Sequence, residues 1–80
     1  MLKATSKVDC DTITKWVNEK AEQNHYRASY ISIREFLIGD CELDGCVKYQ
    51  VHWLTYSELK YQNFYVDQKT HQIVYVTRYM

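Results

Sequence analysis

The chain contains no proline and only two glycines, Gly39 and Gly45. The lack of proline rules out a proline-rich ligand segment, and the scarcity of glycine rules out a flexible linker. An excess of charge of either sign is also missing, because ten basic and ten acidic side chains cancel. Residues 1–39 carry six basic and five acidic groups, and residues 40–80 carry four and five. Neither half has the basic footprint that phosphate binding needs. No apolar run approaches the length that crosses a bilayer. The opening MLKATSKVDC lacks the apolar core of a secretory signal. There is no internal repeat and no low-complexity run.

What remains is a globular composition, 46% hydrophobic and 25% charged over 80 residues. That length supports one modest core and so one domain, 1–80. Three cysteines cannot all pair within one chain. With no secretory signal they read as reduced thiols of a cytoplasmic protein. The eight tyrosines, Tyr26, Tyr30, Tyr49, Tyr56, Tyr61, Tyr65, Tyr75 and Tyr79, all fall after residue 25. Tyrosine favours strands and also anchors binding surfaces. The skew divides the chain into a helix-like N-terminal part and a sheet-like remainder.

Residues 9–24 carry the periodicity of an amphipathic helix. Ile13, Trp16, Val17 and Ala21 share one face, with Cys10 one turn before Ile13. Asp9 or Asp11 can cap the free N–H groups at its start. Residues 46–56 alternate as a half-buried strand: Val47, Tyr49, Val51 and Trp53 against Lys48, Gln50 and His52. Asp44-Gly45 just before them is a two-residue hairpin turn. Counting back from a Leu43–Cys46 pair sets Phe36 opposite Trp53 and Ile38 opposite Val51, with Gly39 as a bulge. Residues 29–38 also admit a second reading, a short helix opened by a Ser32–Glu35 capping box. Residues 59–66 and 72–79 form a second hairpin, in which Asp67 and Thr70 bond the turn backbone. His71 takes the place where glycine is usual if the backbone is left-handed. That register pairs Val66 with Ile73 and Phe64 with Tyr75, leaving Tyr61, Tyr65, Val74 and Val76 on the opposite face.

The stretch FYVDQKTHQIVYV resembles hairpins of cystatin-like and PepSY-type domains, over about one hairpin. The expected fold is α+β, one N-terminal helix packed on a four-stranded antiparallel meander, with a minimal cystatin-like roll as the nearest resemblance. Both faces of such a sheet are apolar, and one short helix covers only one of them. The other is left to sheet curling, a homodimer or another protein.

Sites of chemistry are scarce. Asp40-Cys41-Glu42-Leu43-Asp44-Gly45 has the acid spacing of a calcium loop, but Val51 stands where a bidentate glutamate is required. Cys41 and Cys46 are a loose pair with no second pair to complete a zinc site. Nothing aligns Cys10, Cys41 or Cys46 with His25, His52 or His71 as nucleophile and base. No metal, cofactor or enzymatic activity is expected. The leading expectation is a small protein-binding module that blocks a larger protein sterically. It would act as an inhibitor or antagonist of the kind viruses and mobile elements encode, in the host cytoplasm. Its candidate contacts are the anchors Tyr56, Tyr61, Tyr65 and Arg78 and the steering acids Asp40, Glu42 and Asp44. The alternatives are stacking of single-stranded nucleic acid on sheet tyrosines and a homodimer. No membrane partner is expected.

Overall fold

The computed structural model describes residues 6–23, 31–55 and 58–77. Helix α1 spans Lys7–Gln23. Ser6, not Asp9 or Asp11, starts it. The Cys10 amide donates to the Ser6 carbonyl at 2.9 Å, and the Asp9 amide reaches Ser6 Oγ at 3.5 Å. A serine hydroxyl at this position satisfies an otherwise orphaned helix N–H. Ile13 and Val17 are fully buried, as the periodicity expects. One turn earlier the same face carries Asp9, also fully buried, while Cys10 is only half-buried.

Strands β1 (Ile31–Gly39), β2 (Cys46–Thr55), β3 (Glu58–Asp67) and β4 (Ile73–Val76) follow. They form one antiparallel sheet in the order β1-β2-β3-β4. With α1 this makes the expected α+β arrangement. Of residues 29–38, β1 settles 31–38 in favour of strand, and residues 29 and 30 lie outside the described residues.

The Asp44-Gly45 turn forms, with the Cys46 amide donating to the Leu43 carbonyl at 3.4 Å and Gly45 at φ 77°. The ladder beneath it differs by two residues from the expected register. Phe36 faces Val51, Ile38 faces Tyr49 and Gly39 faces Lys48. Residues 40–42 leave the ladder and absorb the difference. A two-residue slip preserves the side on which each residue points, so the expected faces survive. The bulge lies between Ile33 and Glu35, not at Gly39.

The second hairpin corrects the sequence reading at its end. Val66 faces Ile73 as expected, but a bulge follows, so Tyr65 faces Tyr75 and Phe64 faces Val76. Tyr75 therefore moves to the side away from the helix, where it is 56% exposed, and Val76 joins the core.

The core lies between α1 and one sheet face. Val47, Tyr49, Val51, Trp53, Phe64 and Val66 are each no more than 6% exposed, and Ile13 and Val17 close over them. Trp16 meets Phe64 edge-on, with centroids 5.1 Å apart. Gln62 lies opposite Val51 and is buried, yet both ends of its amide are satisfied. It accepts from Trp53 Nε1 and donates to the Thr77 carbonyl, each at 3.0 Å. No helix among the described residues is long and apolar enough to cross a membrane.

The two faces make opposite predictions for truncation. Phe64→Ala is expected to cost about 3–5 kcal/mol by urea unfolding, because it empties a fully buried site. Leu59→Thr, on the other face at 43% exposure, is expected to change stability by less than about 0.5 kcal/mol. Equal losses would contradict the assignment of the core to one face.

Candidate functional site

The β2–β3 register sorts the far side of the sheet. Lys48 faces Tyr65, Gln50 faces Asn63, His52 faces Tyr61 and Leu54 faces Leu59. β1 contributes Glu35 and Leu37, and β4 contributes Tyr75. No described element lies over this face. Leu37, Leu59 and Tyr75 are exposed on it, with Tyr61, His52 and Leu54 half-buried between them.

The candidate residues divide. Tyr61 stands on the open face with its ring edge-on to His52, centroids 4.5 Å apart. His52 Nδ1 in turn lies 3.7 Å from Glu35. Tyr65 is on the same face but only 5% exposed. Its hydroxyl donates to Glu42 at 2.6 Å, Tyr75 packs against its ring at 5.4 Å, and Lys48 Nζ lies 5.9 Å from the ring centroid. Tyr65 is therefore a support beneath the surface. Asp40, Glu42 and Asp44 lie exposed on the β1–β2 connection. Glu42 is engaged by Tyr65 and by Lys48 at 3.8 Å. Tyr56 and Arg78 lie outside the described residues.

The Tyr65–Glu42 bond moves both groups' titration. Donation to Glu42, with burial adding to it, pushes the Tyr65 phenol up to about 12. The same bond holds the Glu42 carboxyl below its ordinary value. The pair thus stays fixed in its donor–acceptor state across neutral pH, and the loop of residues 40–42 is tied to the open face.

A second polar cluster escaped the sequence reading. Asp9 is fully buried where α1, β2 and the β3–β4 turn meet. Tyr49 Oη donates to its Oδ2 at 2.6 Å, Gln68 Nε2 donates to the same oxygen at 3.2 Å, and His71 Nδ1 lies 2.9 Å from Oδ1. The Ser6 amide donates to Tyr49 Oη at 3.4 Å. In an ordinary capping box the acid at this helical position reaches back to the amide of the capping residue. Here the Tyr49 hydroxyl is inserted between them, so the helix start is bonded through the sheet. His71 has φ 57°, uncommon for a residue with a side chain. The turn holds it there. Asp67 Oδ1 accepts from the Lys69 and Thr70 amides at 2.7 and 3.1 Å, and the His71 amide donates to the Asp67 carbonyl at 2.7 Å. These contacts confirm the turn roles of Asp67 and Thr70, the latter accepting from the Gln72 amide at 3.3 Å.

Between α1 and β4 an open groove of about 330 Å³ is lined by Thr12, Lys15, Trp16, Glu19, Gln72 and Ile73. Its wall brings together no nucleophile–base pair. Among the described residues, no three His, Cys, Asp or Glu side chains converge as metal ligands.

The Asp9 cluster makes acid stability testable. Burial alone would raise the Asp9 carboxyl, but the bonds from Tyr49, His71 and Gln68 outweigh it and hold the group below 3.8. A carboxyl with a lower pKa folded than unfolded stabilises the fold while ionised. That contribution is complete above the unfolded pKa and is lost as pH falls through the folded value. Asp9→Asn is expected to lower the Tm at neutral pH and to flatten its decline below about pH 4. The decline should shrink without vanishing, since the Lys69 and Thr70 amides also depress Asp67, and Tyr65 depresses Glu42. A variant with the wild-type acid limb would show that Asp9 is not ionised in the fold.

Compared with known proteins, the chain matches no family model, no curated protein and no solved structure.

Proposed function

We propose that this protein is a small protein-binding module that acts by steric blockade of a larger protein. It is an inhibitor or antagonist of the type that viruses and mobile elements encode, working in the host cytoplasm. The observation that supports this reading is the open sheet face, where Leu37, Leu59 and Tyr75 are exposed around half-buried Tyr61. A core of aromatic and leucine side chains rimmed by Glu35, Lys48 and Glu42 is the composition of an interface centre with a polar rim. Tyrosine suits the centre because it buries a large area while losing few rotatable bonds. Tyr61 and Tyr75 are the anchors of this reading. Tyr65 and Glu42 hold the surface beneath them, and Asp40 and Asp44 orient the approach electrostatically. The reading assigns the chain no catalytic step and no cofactor.

The test is affinity capture from the native cellular host, with wild-type protein and a Leu59→Asp/Tyr61→Ala variant compared side by side. The expected outcome is a defined protein partner whose Kd rises at least tenfold on the variant, the loss typical of a central anchor pair. A partner held equally by both proteins would remove this face from the account. Retention of oligonucleotides instead, released by moderate salt, would turn the open face into a nucleic-acid surface.

A further inference from the structure

We infer that the outer edge of β1, which no other described strand pairs, docks a second copy of this chain, antiparallel, about a two-fold axis that passes between Arg34 and Glu35. This surface is the rim of the sheet, and it meets the open face at Glu35 and Leu37. β1 is nine residues long and borders the sheet, whereas the opposite border, β4, has only four. A long edge carries a row of backbone donors and acceptors available for pairing.

The sequence of β1 is complementary to itself about that axis. Antiparallel pairing centred there sets Arg34 opposite Glu35 of the second copy, and Glu35 opposite its Arg34. Ile33 falls opposite Phe36, Ser32 opposite Leu37, and position 31 opposite Ile38. Two opposite-charge pairs form at the centre, flanked directly by the apolar Ile33–Phe36 pairs.

The bulge makes this register possible. Cross-strand partners must point to the same side of a sheet. In an unbroken strand Ile33 and Phe36, three positions apart, would point to opposite sides. The extra residue between Ile33 and Glu35 cancels one alternation. Ile33, Phe36 and Ile38 consequently all pack on the helix side. Ser32, Glu35 and Leu37 lie opposite Leu54, His52 and Gln50, all on the other side. The Ile33–Phe36 and Ser32–Leu37 pairs of the dyad register therefore each share a face. A bulge at a sheet edge commonly guards against pairing. Here it converts a strand that could not pair in this register into one that can.

Burial along the edge points the same way. Ile33, Phe36 and Ile38 are only half-buried, whereas their ladder partners Trp53, Val51 and Tyr49 are at most 2% exposed. Apposing a second Phe36 to Ile33, and the reverse, would extend both cores across the axis.

Charge exchange tests the inference. Full-length Arg34→Glu and Glu35→Arg proteins are prepared separately, and their association is followed by sedimentation equilibrium up to millimolar concentration. Both residues are exposed, and thermal unfolding confirms that each variant folds. Wild type is expected to form a dimer. In each single variant the central pairs become like-charged, and the dimer dissociation constant is expected to rise roughly tenfold. An equimolar mixture of the two variants restores opposite charges at every central pair and is expected to form a heterodimer of near wild-type affinity. A wild type that stays monomeric throughout overturns the inference. So does a dimer whose affinity in both single variants equals that of wild type, since its interface would lie elsewhere.

Discussion

The structure depends on one buried carboxylate. Asp9 sits at zero exposure between the helix, the second strand and the last turn, and it gathers Tyr49, Gln68 and His71. Burying an ion is costly unless its lone pairs are met, and here both oxygens are engaged. The bonds are directional where apolar packing is not. They fix how far α1 can slide along the sheet and tie the β3–β4 turn to the helix start. The left-handed His71 backbone is accounted for in the same way, because that conformation delivers the imidazole to Asp9.

From this constraint the division of the sheet follows. α1 is committed to the face of Val51, Trp53 and Phe64, and a 17-residue helix has no second side to offer the other. The other face is then organised by its own contacts. Tyr65 lies under Tyr75 and is bonded to Glu42, and Lys48 approaches both Tyr65 and Glu42. Tyr61 stacks edge-on against His52. A surface braced from below in this way presents its remaining leucines and tyrosines with little freedom to collapse. Such preorganisation reduces the entropy lost on binding.

The fold was largely legible in the sequence because binary pattern and turn chemistry agree. Val47 to Trp53 alternate, Asp44-Gly45 forms the turn, and Ile13, Trp16 and Val17 mark the helix face. Register was harder. Leaving residues 40–42 out of the ladder depends on contacts of Glu42 with Tyr65 and Lys48, which counting back from a turn does not include. Tyr75 changed sides because a bulge at β4 shifts the alternation by one, and nothing local in Ile73–Val76 announces it. Asp9 was read as a cap because hydrophobic periodicity passes over acids. Its partner His71 is 62 positions away, so the pairing has no local trace. The open face itself was anticipated, since two apolar faces and one helix leave a remainder.

Asp9 commits the helix to one face of the sheet, and no described element covers the other. Solvent paramagnetic relaxation, measured by NMR on the isolated protein with a neutral soluble probe, tests this directly. Strong relaxation is expected of the Tyr75 ring and the Leu37 and Leu59 methyls, intermediate relaxation of Tyr61, and almost none at Tyr49, Phe64 and Val51. Protection of Tyr75 and Leu59 equal to that of Phe64 would mean that the chain covers both faces, and would contradict this assignment.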